Sequence, residues 1–220
     1  MKKYILCLAN SHKYNERCIA GVELSKKDKD TFSLVKSDGE AKWMRPVSKR
    51  GHGEISSKIV NQMKLLDIYE VEIIEECPAG FQSENVIILE KSLRYIKSIK
   101  PERKNLNKIV NDITGPIFFN KGRAVIKDKI HLLEKSLLFV KTDTLRFVPV
   151  KNIKVQDQLR IEFTHKNLIY NFPVTDVAFL KNYAQNPQII NSINEAYLTI
   201  SLGLEFEGWH FKLIAGVVTF

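Results

Sequence analysis

LRIEFTHKNLIYNFPV, residues 159–174, carries the plainest structural signal in the chain. Leu159, Ile161 and Phe163 alternate with polar neighbours, His165, Lys166 and Asn167 interrupt them, and Leu168, Tyr170, Phe172 and Val174 alternate back. A side-chain period of two puts each apolar set on one face. The stretch therefore reads as an antiparallel hairpin, turning at 165–167, with one face buried.

Outward from this hairpin, strand signals continue at 137–141, 145–150, 197–203 (YLTISLG) and 210–220 (HFKLIAGVVTF), the last two joined through 205–208. Residues 176–183 read as a short helix, and Asn186-Pro187 breaks the chain after it. A second set of strands lies upstream. Residues 4–9 (YILCLA) are apolar on both faces, as in a central strand, and 18–24, 32–35, 43–47, 66–74 (LDIYEVEII) and 86–89 follow at the spacing of a small barrel. Between the sets, Leu93, Ile96 and Ile99 recur every third place, each followed by Arg94, Lys97 or Lys100, until Pro101. That spacing fits a helical turn better than a strand, and 105–113 offers a further short helix before Gly115-Pro116. The expected organisation is mainly β: a first barrel over 1–90, a partly helical connector over 91–132 and a second barrel over 133–220.

The chain has 220 residues, of which 44% are hydrophobic and 27% charged, the balance of a soluble globular protein rather than a disordered one. Its 34 basic and 25 acidic side chains leave a net charge of +9, which favours phosphate on a nucleic acid or an anionic surface. A lysine-rich soluble surface accounts for the same number. Cys7, Cys18 and Cys77 are too few and scattered for a disulfide framework or zinc cage, which fits reduced, packed thiols and a cytoplasmic setting. The opening MKKYILCLAN runs straight into polar Ser11, His12 and Lys13 without a small-residue cleavage site, so a first strand explains it better than a signal peptide. No apolar run is long enough to span a bilayer, so no membrane partner is expected.

Catalytic signals are missing from the sequence. His12, His52, His131, His165 and His210 show no metal-ligand spacing, and there is no Walker loop, GxGxxG or GxSxG. Glu75-Glu76 lies at a strand end, and nothing marks Glu84 as an acid or base. The expectation is a protein that is not an enzyme and uses no metal or cofactor.

Two segments suit ligand binding. NSHKYNERC (10–18) groups Asn10, Ser11, Lys13 and Arg17 in a strand-to-strand connection, where amides, hydroxyls and cations clasp phosphate or a base edge. A solvated hairpin turn is the alternative. KWMRPVSKRGHG (42–53) groups Trp43, Arg45, Ser48, Lys49 and Arg50 before a flexible glycine pair. An aromatic face beside guanidinium groups suits base stacking and phosphate neutralisation, whereas a core Trp43 with its charges on a solvated loop is the competing reading.

ILCLANSHKYNERCIAG (5–21), WMRPVS (43–48), LDIYEV (66–71), QSEN (82–85) and YLTISLGLEFEGWHFKLIAGVV (197–218) together resemble the dual OB-containing family, small prokaryotic proteins with two tandem OB-like folds. The resemblance spans almost the whole chain and implies two OB-like barrels. By that fold's habits it implies a nucleic-acid or nucleotide ligand, in a prokaryotic defence or conflict setting. It carries over Asn10, Ser11, Arg17, Cys18 and Gly21, then Trp43, Arg45, Pro46 and Ser48, then Ser201, Gly203, Gly208 and Lys212. His12 stands where an arginine is expected, and Met44 where a smaller aliphatic is. The leading expectation is a non-catalytic binder of single-stranded DNA or RNA in which Arg17, Arg45, Lys49 and Arg50 meet phosphates and Trp43 stacks a base. The rivals are a small-nucleotide sensor closing Asn10, Ser11, Arg45 and Ser48 around one ligand, and an adaptor docking onto a partner enzyme.

Overall fold

The computed structural model describes residues 1–13, 15–28, 30–151 and 157–220, and the chain divides into two units, Met1–Ile109 and Val110–Phe220. The first runs β1 (Lys2–Lys13), β2 (Glu16–Lys26), β3 (Phe32–Leu34), β4 (Lys36–Ser37), β5 (Glu40–Ala41), β6 (Trp43–Val47), α1 (Ser57–Val60), β7 (Asp67–Glu76), β8 (Asn85–Ile88), β9 (Arg94–Ser98) and α2 (Arg103–Leu106). Its strands close into a ring in the order β1-β2-β6-β8-β7, because β1 pairs with both β2 and β7. Only the β6–β8 contact is parallel. Five strands in this order, with the third beside the fifth, make an OB barrel.

Alternation explains the closure. Ile5 and Cys7 of β1, Ile19 of β2, Met44 of β6, Tyr69 and Val71 of β7, and Val86 and Ile88 of β8 share one core, with Val60 and Met63 packed in from α1 and the segment after it. The β1–β2 register skips between Cys7 and Ala9, a bulge that bends the long strand round the barrel. Gly21 lies opposite it. A Cβ there would stand 1.9 Å from the Leu6 carbonyl oxygen, so only glycine lets the two backbones approach this closely.

The second unit runs β10 (Ala124–Ile126), β11 (Leu137–Thr142), β12 (Leu145–Lys151), β13 (Asp157–His165), β14 (Leu168–Pro173), α3 (Val177–Gln185), β15 (Ala196–Phe206) and β16 (Trp209–Thr219). The same ring recurs in looser form. β11 pairs with β15 and β12 with β13, so these consecutive strands act as one first strand broken at 143–144. β14 meets β16 through one parallel bridge, Val174–Ile214, beside a Thr175 N–H donating to the Ile214 carbonyl at 2.8 Å. Phe139 stacks on Tyr197, and Phe163 on Tyr170, in the buried interior. Asp176 caps α3 by accepting from the Phe179 N–H.

The hairpin expected over 159–174 is β13–β14. It turns through Lys166 (φ 47°) and Asn167 (φ 63°), the left-handed pair that a two-residue turn of matching twist requires. The β15–β16 turn does the same with Glu207 and Gly208. One expectation is corrected. Residues 94–98, read as helical, form β9 on the free side of β7, pairing from Asp67–Ser98 to Glu70–Arg94. A register shift at Ile68/Tyr69 and an edge position loosen the strand period there, and pairing with a distant strand outweighs the local pattern. The segment 91–132 is shared between the units: β9 and α2 lie in the first, and β10 with two 3-10 turns in the second. No helix among the described residues is long and apolar enough to cross a membrane.

Candidate nucleic-acid interface

Residues 10–13 and 16–18, expected in a connecting loop, are ladder positions of β1 and β2, paired from Asn10–Ile19 to Lys13–Glu16. Tyr14 lies outside the described residues. The side chain of Asn10 turns inward, and its Nδ2 donates to the Val60 and Met63 carbonyls at 3.2 and 2.9 Å, fastening α1 across the barrel end. Ser11 is buried and donates to the Cys18 carbonyl. Arg17 pairs its backbone with Ile55 in both directions and sets Nη1 3.3 Å from Nδ1 of His12. Burial, and then the Arg17 charge, hold the His12 imidazole below its ordinary pKa.

β6 separates its two faces sharply. Met44 enters the core, while Trp43 and Arg45 share the other face and are also buried, Trp43 at 8% exposure. Arg45 Nη2 lies 3.0 Å from Glu84 Oε1, and the Arg45 N–H donates to the Glu84 carbonyl. Asn85 pairs with Arg45 in the parallel ladder and donates to Gln82 Oε1 at 3.3 Å. The WMRPVS and QSEN segments thus meet as the junction that closes the barrel. Stacking a base on Trp43 would require that face to open. Ser48 donates to Glu90 Oε1 at 2.7 Å and accepts from the Arg50 N–H at 3.1 Å, shaping the loop that follows β6.

The two predicted segments do come together at one end of this barrel. Lys13 Nζ reaches the His52 carbonyl, which brings the β1–β2 hairpin tip against the loop after β6. Lys49 pairs with Glu75 at 3.1 Å on the surface, and Arg50 is exposed beside it. Glu54 accepts from the His52 N–H, and Glu16 from the Ser57 N–H, so two of the local carboxylates are already hydrogen-bonded to backbone. The result is a cationic barrel end over a frame of buried polar side chains. No group of three or more His, Cys, Asp or Glu residues that could hold a metal ion occurs among the described residues.

The second barrel carries an aromatic face that sequence reasoning missed, and it places Lys212, which the resemblance carried over, in the interior. On β16, His210 and Lys212 point inward and are buried, while Trp209 (44% exposed) and Phe211 (41%) point outward. Phe206 of β15 pairs with Trp209 and lies 6.5 Å from the Phe211 ring, and Ile126 of β10 pairs with Trp209 from the other side. Phe206, Trp209 and Phe211 thus form an exposed aromatic face on the fourth and fifth strands of this barrel. Lys212 is fully buried. Burial pushes its pKa down to about 7, and Nζ donates to the Ile117 and Asn120 carbonyls at 2.6 Å each and to Asn120 Oδ1 at 3.1 Å. It pins the turn in which Phe118 and Phe119 take left-handed backbone angles.

Two barrels of one strand order, each with a helix between its third and fourth strands, define a tandem OB protein. A family model described as the dual OB-containing domain matches residues 3–217, and the chain belongs to that family. Among solved structures it is similar to a crystal structure of the tetrameric p202 HIN2, with 7% identity, a TM-score of 0.32 and coverage of 100% of this chain and 92% of that one. No curated protein matches it.

Proposed function

We propose that this protein is a non-catalytic binder of single-stranded nucleic acid, in which Lys13, Lys49 and Arg50 meet phosphates at one end of the first barrel. The observation that carries this reading is the Lys13–His52 contact, which brings two basic segments far apart in sequence to the same barrel end. OB barrels engage oligonucleotides through such loop ends, and the net charge of +9 supplies the long-range attraction. Asn10, Ser11, Arg17, Trp43, Arg45 and Ser48 are buried and act beneath the surface, holding the strands and loops that present the cations. The exposed aromatic face of the second barrel offers stacking to unpaired bases and so favours single strands over duplex.

The test is fluorescence anisotropy of labelled single-stranded DNA and RNA homo-oligonucleotides against salt. Affinity should fall steeply as salt rises. The double variant Lys49→Ala/Arg50→Ala should lower the log–log slope by about 1.4, two phosphates at about 0.7 each. An unchanged affinity and slope in that variant sinks the reading.

A further inference from the structure

A cleft lies in the first unit, lined by none of the residues of the basic barrel end. The outward side chains Leu6 (β1), Leu24 (β2) and Ile68 (β7) floor a cleft of about 650 Å³, closed at the side by Ile99 and Ile109. That volume falls inside the ordinary range for small-molecule sites. Phe32 forms one wall. It is held edge-on by Tyr4, with ring centroids 5.2 Å apart, and covered by Lys97 Nζ 5.4 Å from its centroid. Lys97 also donates to the Asp30 carbonyl at 2.6 Å, so β9 is tied to the start of β3 and the wall is fixed in place.

The rim is polar and cationic. Lys100 and Lys108 are exposed at the mouth, with Ser33 and Asn105 between floor and rim. Two acidic residues, Asp30 and Glu102, also line the cleft, and Glu102 accepts from Asn105 Nδ2 at 2.9 Å. Three ammonium groups against two carboxylates, above an aliphatic floor with an aromatic wall, suit a ligand with one flat apolar end and one anionic end.

We propose that this cleft binds a mononucleotide, its base laid on the Leu6–Leu24–Ile68 floor beside Phe32 and its phosphates at Lys100 and Lys108. An acyl chain would fill the floor equally well, but Ser33, bonded to Ser25 Oγ at 2.8 Å, and Asn105, bonded to Glu102, keep further donor and acceptor capacity that a nucleobase can use and an acyl chain cannot.

Titration calorimetry of the full chain with AMP, ATP, inorganic phosphate and octanoate tests this. AMP and ATP should bind, ATP more tightly. Lys100→Ala/Lys108→Ala should weaken ATP by about tenfold or more with an unchanged melting temperature, since both side chains are solvent-exposed. Asn105→Trp, also at an exposed position, should block the cleft and abolish both. Absence of nucleotide binding, binding indifferent to both variants, inorganic phosphate binding as tightly as AMP, or octanoate binding in place of nucleotide would each overturn the proposal. Lys49→Ala/Arg50→Ala should leave AMP binding intact, and the cleft variants should leave oligonucleotide binding intact, so this proposal and the polymer reading fail separately.

Discussion

Arg45 and Glu84 form a buried ion pair, Nη2 to Oε1 at 3.0 Å with 5% and 3% of the side chains exposed, across the parallel junction that closes the first barrel. Their main chains are bonded as well, Arg45 N–H to Glu84 carbonyl at 2.8 Å. A guanidinium held in this way serves the fold before it serves a ligand. Removing one partner of a buried pair leaves the other charge desolvated, so Arg45→Ala should cost about 3–5 kcal/mol of stability. Urea denaturation reads this directly. A midpoint equal to that of the parent would show that the pair is peripheral and return Arg45 to the ligand-contact role expected from sequence.

Gly21 is the second pivot of that barrel. Gly21→Ala would drive a methyl against the Leu6 carbonyl, at 1.9 Å if nothing moved, and backbone must yield rather than a flexible side chain. A loss of at least about 2 kcal/mol is expected. A fully stable alanine variant would mean that the β1–β2 bulge can relax.

Much of the fold was legible because period-two alternation and turn chemistry are local. Residues 159–174 show both, and Asn167 and Gly208 sit where left-handed angles are needed. β9 was illegible: Leu93, Ile96 and Ile99 take their spacing from an edge strand whose pairing partner, β7, lies elsewhere in the chain. The candidate site divides the same way. That Trp43 and Arg45 share a face follows from alternation, but what buries Arg45 is a carboxylate far downstream. On β16 the polarity misleads outright. His210 and Lys212 look like the solvent face, yet they are buried and Trp209 and Phe211 are out, because carbonyl oxygens inside the barrel accept from Lys212.

Lys212 supplies its own test. Lys212→Met keeps an unbranched side chain, one heavy atom shorter, but strands the Ile117 and Asn120 oxygens that lysine now satisfies. Buried acceptors left unmet should cost about 3 kcal/mol in total. If thermal melting shows the methionine variant equal to the parent, solvent must reach those carbonyls.

Asp176 gives the pH dependence. Burial raises its pKa from 3.8 to about 6, against the opposing N–H donors of Phe179 and Val217. Because the folded state holds this proton more tightly than the unfolded one, the group's contribution to stability falls as pH rises from about 4 to about 6 and is flat above. The span is on the order of 3 kcal/mol. Asp176→Asn cannot ionise, so parent minus variant stability, measured by denaturant titration across that window, should decline with pH. A flat difference would show that the carboxylate is already ionised throughout.

Trp209 and Trp43 are the only two tryptophans, one exposed and one buried, and this makes the aromatic face of the second barrel separately observable. Collisional quenching by iodide should reach Trp209 and spare Trp43. If bases stack on the face formed by Phe206, Trp209 and Phe211, a single-stranded oligonucleotide should quench the same emission and protect it from iodide. Trp209→Phe should then remove the optical response while retaining part of the binding, because a phenyl ring still offers a π-face. Trp209→Ala should cost about 1–3 kcal/mol of binding free energy, with little change in melting temperature for a side chain this exposed. Stacking and charge predict different salt behaviour: Trp209→Ala should lower affinity equally at all salt concentrations, whereas Lys49→Ala/Arg50→Ala should flatten the salt slope. Oligonucleotide binding that leaves Trp209 fully open to iodide would assign this face to a protein contact instead.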